Sequence, residues 1–210
     1  MPSVTRKPRA QPVADRRPAI EARLLEATER LLEDGSGFTE LSVEQLCSEA
    51  GIARSTFYVY FRDKGDLLVR LAEEMLDHLA TAAAAWWTAD SSRKELLEAT
   101  RAMVGIYARH TALFAAFTET AAYDAELRAI QEQMLDHHGE PLARLIDAGK
   151  RDGTVRDVHT QETVTALMWM VQGACHRLTP GADGAGLDRL AETIAAISWH
   201  ALYRDERRGL

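Results

Sequence analysis

The chain of 210 residues is poor in the residues that carry most extracellular and enzymatic chemistry. It has two cysteines, Cys47 and Cys175, in different regions. Two such thiols make no disulfide framework, and a reducing cytoplasm is the expected location. No amino-terminal apolar segment of signal-peptide type occurs, and no uninterrupted apolar run reaches spanning length, so no membrane partner is expected. Of the histidines, His137 and His138 are neighbours pointing to different sides of a helix. His78, His110, His159, His176 and His200 have no cysteine or carboxylate at a repeating ligand spacing, so no metal is expected. G-x-S-x-G, paired CxxC and Walker motifs are missing, and neither a cofactor nor catalysis is expected. The glycines of residues 179–186 follow no strand, which excludes a phosphate cradle of the strand–loop–helix type. Strand-period alternation is missing throughout. The predicted class is all-α.

Hydrophobic content of 46% and charged content of 27% are those of a globular protein of one domain or two modest ones. The net charge of −7 argues at first against a nucleic-acid partner, but its distribution does not. Arg6, Lys7, Arg9, Arg16 and Arg17 face only Asp15 in residues 1–17, whereas the acidic excess lies in the second half of the chain and beyond residue 64 generally. A basic arm on an acidic body fits a protein that touches DNA at one end. Residues 1–17 are polar, contain proline and lack periodicity, so they are read as a disordered arm that either follows the minor groove and phosphates or is inert. Only four of the 25 basic residues are lysine, to which no function attaches.

The stretch Leu41–Leu68 organises the rest. Ser42 with Gln45 three residues on forms a capping box, and Leu41 and Leu46 are spaced for a hydrophobic staple. Val43, Leu46, Cys47 and Ala50 share one helical face, and Gly51 supplies the positive φ that ends the helix. A second short helix follows from about Arg54 to Phe61. Phe57, Tyr60 and Phe61 can pack inward, leaving Arg54, Ser55, Tyr58, Val59 and Arg62 on the other side. Helix, glycine turn, helix is the helix-turn-helix layout, whose second helix enters the major groove. Arg54 at its amino end suits guanine, whose N7 and O6 accept a two-pronged donor. Thr56, Tyr58 and Lys64 suit phosphate oxygens. The candidate DNA-contacting set is Ser42, Gln45, Arg54, Ser55, Thr56, Tyr58, Tyr60 and Lys64.

Helical periodicity elsewhere predicts helices from about Pro18 to Asp34, Lys64 to Trp87, Ser92 to Arg109, Thr111 to Ala122, Ala125 to Arg151, Thr160 to Leu178 and Leu187 to Arg204. Ser92 and Glu95 form a second capping box, and Asp124 caps the longest helix. Gly139 and Pro141 predict a kink or break within it. The organisation expected is an arm over 1–17, a DNA-binding head over 18–64 and a helical body over 65–210.

Ala50-Gly51-Ile52, Thr56-Phe57-Tyr58, Tyr60-Phe61, Asp63-Lys64 and Leu67 stand in the register of the TetR family of transcriptional regulators, which this chain resembles. The motif covers about the first third of the chain, and length and helical layout agree for the remainder. Two positions depart from the family pattern. Ala53 stands where Ser or Thr usually caps the second helix, and Gly65 replaces an acidic residue in the next first turn. Both suggest a head that is loosely ordered before it meets DNA.

The resemblance implies a homodimer through the last two helices. Gly173 and Ala174 would allow close approach there, and Ile194, Ile197, Leu202 and Tyr203 would supply apolar area. Two recognition helices one turn apart then call for double-stranded DNA with a palindromic operator. It also implies an effector pocket, for which the candidate lining is Trp86, Trp87, Met103, Tyr107, Phe114, Phe117, Thr118, Met134, Met168, Trp169 and Val171. Few polar groups accompany that stripe, so the small molecule would be mostly apolar. The expected function is a repressor released from its operator by that ligand. The alternative is a regulator with no effector, its body serving dimerisation alone.

Overall fold

The computed structural model describes residues 13–84, 86 and 92–203, with side chains from Arg17 onward. Among these residues it is all helical: α1 (Val13–Glu33), α2 (Val43–Ala50), α3 (Arg54–Tyr60), α4 (Lys64–Ala84), α5 (Arg93–Arg109), α6 (Thr111–Tyr123), α7 (Ala125–Asp152), α8 (Thr160–Leu178) and α9 (Gly184–Leu202). The one extended pairing is an isolated antiparallel bridge between Val155 and Tyr203. The chain divides into two compact units at Leu67–Leu68, inside α4. The first turn of α4 goes with the head, to which Lys64 ties it through the carbonyls of Phe38, Thr39 and Leu41.

In the head, α1 packs on α2 and α2 on α3. Leu24, Ala27, Phe38, Leu41, Leu46, Cys47, Ala50, Phe57 and Phe61 form its interior. Phe38 plugs the core from the loop between α1 and α2. Residues 1–12 of the expected arm lie outside the described residues. Its last five, 13–17, open α1 instead of remaining free, and Pro18 sits inside that helix. A proline at the sixth position of the helix forfeits one bond, the one its N–H would make to the carbonyl of Ala14.

In the body, α5 packs along α9, α7 along α8, and α6 against α7. A core of Trp86, Leu96, Ala99, Leu142, Ile146, Val155, Val164, Leu167, Ala195, Leu202 and Tyr203 fills the space between them. The predicted break in α7 does not occur. The helix runs through Pro141, and Gly139 has a packing role: a Cβ there would lie 2.7 Å from Val164 Cγ1 on α8. Glycine is what lets the two helices approach so closely. α9 starts three residues before the predicted Leu187, because Asp183 accepts from the Gly186 N–H at 2.7 Å and caps it.

Candidate nucleic-acid interface

The two helices of the turn are set by their caps. Ser42 Oγ accepts from the Gln45 N–H at 3.2 Å, and Gln45 Oε1 accepts from the Ser42 N–H at 2.8 Å, so the box closes. Gly51 has φ 61 and ψ 39, the left-handed conformation, and its N–H donates to Ser48 at 3.1 Å. The guanidinium of Arg23 on α1 donates to the Gly51 carbonyl at 2.5 Å, locking the turn from the other side. Ala53 gives α3 no side-chain cap.

The face of α3 follows the predicted division. Phe57 is fully buried and Phe61 is 2% exposed, while Tyr58 is 48% and Val59 62% exposed. Arg54 and Ser55 are exposed at the amino end, and Thr56 and Tyr60 are half-buried. Tyr58 and Val59 thus stand on the solvent side of α3 together with Arg54 and Ser55.

Three details bear on the candidate DNA-contacting set. Ser42 and Gln45 bond each other, so their polar atoms serve the cap first. Lys64, expected at a phosphate, donates to the carbonyls of Phe38 at 3.1 Å, Thr39 at 2.5 Å and Leu41 at 2.9 Å. An ammonium has three N–H groups, and all are taken in this arrangement. Burial pushes its pKa below the ordinary lysine value. Gly65 leaves no gap at the helix start, because Asp63 Oδ1 accepts from the Asp66 N–H at 2.9 Å and Asp66 Oδ2 from the Arg62 N–H at 3.0 Å. The acidic group missing at position 65 is supplied one residue later.

Sequence reasoning also missed a partner. Glu44 on α2 forms an ion pair with Arg54 Nη1, while Arg54 Nη2 reaches the Tyr58 hydroxyl at 3.4 Å. The Tyr58 hydroxyl, together with Glu44, holds the Arg54 guanidinium above its ordinary pKa. The pair spans the turn between two helices, so no helical spacing could have revealed it.

Comparison with known proteins bears on this geometry. A profile described as "Bacterial regulatory proteins, tetR family" matches residues 24–71, the span from α1 into α4 that holds the whole motif. The chain is 27% identical over 210 residues to the HTH-type transcriptional regulator EthR of Mycolicibacterium smegmatis, covering 96% of this chain and 94% of that protein. It is 28% identical over 203 residues to EthR of Mycobacterium tuberculosis, covering 94% and 92%. Residues 24–71 thus match the DNA-binding head of the TetR family. Solved TetR-fold structures superpose on most of the chain. The TetR-family regulator of Syntrophomonas wolfei has a TM-score of 0.73 at 16% identity, covering 88% of this chain and 96% of that one. The fatty acid degradation regulator FadR of Bacillus halodurans has a TM-score of 0.71 at 17% identity, covering 93% and 100%. The chain is therefore a DNA-binding transcriptional regulator with a helix-turn-helix head and a helical body.

The body places the predicted pocket residues unevenly. Met103, Tyr107, Met168 and Val171 line one cavity of about 50 Å³ with Leu76, Leu79, Ala80, Ala83, Leu135 and His138. Phe114 lies beside it, its ring 4.3 Å from that of Tyr107, which burial holds above the ordinary tyrosine pKa. Phe117 and Met134 are buried, and Thr118 is half-buried. Trp86 belongs to the main core. Trp169 is 46% exposed and does not line the cavity. Trp87 lies outside the described residues. Ile194, Leu202 and Tyr203, expected at a subunit interface, are buried within the chain's own body. Gly173 and Ile197 remain exposed on α8 and α9. Among the described residues no group of His, Cys, Asp or Glu is placed to hold a metal, and no helix is long and apolar enough to cross a membrane.

Proposed function

We propose that the chain is a homodimeric repressor that binds a palindromic operator in double-stranded DNA and leaves it when a mostly apolar small molecule enters the body. The observation that carries the DNA part is the face of α3, with Arg54, Ser55, Tyr58 and Val59 in solvent behind a fully buried Phe57. Arg54 reads guanine by its two-pronged donor set, and Ser55, Thr56 and Tyr58 meet phosphates and flanking edges.

Support for the dimer is the exposure of Trp169 at 46% and Ile197 at 48% on the last two helices, with Gly173 one turn beyond Trp169. Large apolar side chains in water on adjacent helices suit a self-complementary two-fold contact. Support for an effector is the cavity walled by Met103, Met168, Tyr107 and Val171, with His138 as its polar group. Methionine walls adapt to a ligand's shape.

The size of that cavity favours a second reading. About 50 Å³ is far below the roughly 300–1,000 Å³ of ordinary ligand sites. A ligand must therefore open the body, and an equilibrium between closed and opened forms is what would couple it to DNA. If no such opening occurs, the protein is a regulator without an effector.

Native mass spectrometry of the purified full chain separates these readings. A dimer with dissociable extra mass of an apolar compound is expected, and that compound should weaken binding to a duplex selected by the protein from a random pool. A bare dimer whose DNA affinity no apolar compound changes would favour the second reading. A monomer would overturn the two-headed operator.

A further inference from the structure

Resting on the reading of Arg54 as the base contact, we propose that Glu44 is a specificity-determining residue that neutralises and orients Arg54 for base recognition. Glu44 lies in the first turn of α2 and Arg54 opens α3, so the Gly51 turn brings together residues ten apart in sequence. Glu44 Oε1 pairs with Nη1, the Tyr58 hydroxyl lies 3.4 Å from Nη2, and the guanidinium carbon sits 5.5 Å from the Tyr58 ring centroid. Three contacts from two directions thus fix the plane of one guanidinium.

The two side chains are 58% and 59% exposed. A pair this exposed is weak as a stabiliser of the fold, so stability alone gives little reason for it. Its consequence for DNA is larger. On non-cognate DNA the gain from a cation is the release of counterions from phosphate, and that gain needs net positive charge. Arg54 paired with Glu44 brings none. On guanine, N7 and O6 are neutral acceptors that need directed donors, and five N–H groups leave an edge of the fork free while Glu44 holds another. Glu44 therefore suppresses the sequence-independent part of Arg54 binding and keeps the part that reads sequence. The price in total affinity is the benefit in discrimination.

The test uses the full-length protein and two probes, a duplex selected by the wild type from a random pool and a scrambled duplex of the same composition. Affinities are measured as a function of salt for wild type, Glu44→Gln, Arg54→Ala and the double variant. Glu44→Gln should tighten binding to the scrambled duplex about 3- to 10-fold, and its log–log salt slope should steepen by about 0.9. Its preference for the selected duplex should fall, and all these effects should vanish in the Arg54→Ala background. Equal tightening with and without Arg54 would show simple repulsion of DNA by a carboxylate and overturn the proposal. So would unchanged preference in Glu44→Gln. Arg54→Ala alone reports on the base contact: if its preference equals that of wild type, the underlying reading fails, independently of Glu44.

Discussion

Lys64 Nζ lies 2.9 Å from the carbonyl oxygen of Leu41, joining the first turn of α4 to the residue that precedes the cap of α2. With Phe38 and Thr39 it closes a set of three carbonyl acceptors around one ammonium. This is why the division between the two units falls after the first turn of α4 and not at its start.

Lys64→Met should accordingly destabilise the head by about 1–3 kcal/mol, the cost of leaving partly buried carbonyls without their charged donor. The midpoint of urea unfolding followed by far-ultraviolet circular dichroism checks it. Loss of DNA affinity with an unchanged midpoint would return Lys64 to the role of a plain phosphate contact.

Ala53 has the extended backbone of an N-cap, φ −74 and ψ 143, but no side-chain acceptor. Ala53→Ser should stabilise the head by about 0.5–1 kcal/mol by satisfying an orphan N–H of α3. The same unfolding measurement should show a higher midpoint with an unchanged slope.

His138 lies on α7 beside the small cavity, and burial lowers its pKa from the ordinary 6.5; Asp77 at 3.9 Å opposes that shift and His137 adds to it. A lowered folded pKa means the unfolded chain binds the proton more tightly. The body should therefore keep its full stability above about pH 6.5 and lose part of it as pH falls toward the lowered value. Thermal unfolding between pH 7.5 and 5 should show a smaller acid-induced drop in His138→Gln than in wild type. Equal drops would place the acid sensitivity elsewhere.

Trp169 is the largest exposed apolar side chain on α8. If the proposed dimer forms through α8 and α9, Trp169→Asp should raise its dissociation constant at least about 30-fold, since an aromatic anchor central to an interface is worth about 2 kcal/mol or more. Sedimentation equilibrium checks it. The folded helical content should remain, because Trp169 contributes little to the chain's own core.

The parts of this fold that depend on neighbours in sequence could be read directly. Both capping boxes, the glycine stop at Gly51, the inward Phe57 and Phe61, and the span of α8 follow from spacings of three and four residues. Pairings across turns could not be read that way. Glu44 with Arg54, and Lys64 with residues 38–41, exist because tertiary packing brings distant chain together. Periodicity also cannot say which of two apolar faces turns inward. The resemblance implies Leu202 and Tyr203 at a subunit interface and Trp169 at a cavity, yet the first two are buried in the body's own core and Trp169 is half-exposed. The capping role of Asp66 in place of the missing acid at position 65 was hidden for the same reason: the hydrogen bond depends on backbone direction at Arg62 and Asp63.

Base reading by α3 rests on Arg54. The most direct measurement compares wild type and Arg54→Ala on the selected duplex, on its set of single-base variants and on scrambled DNA, at one fixed salt concentration. Arg54→Ala should lose about 1–3 kcal/mol on the selected duplex, relax preference at one base pair of each half-site, and lose much less on scrambled DNA. Equal losses on all duplexes would make Arg54 a phosphate contact and contradict base reading.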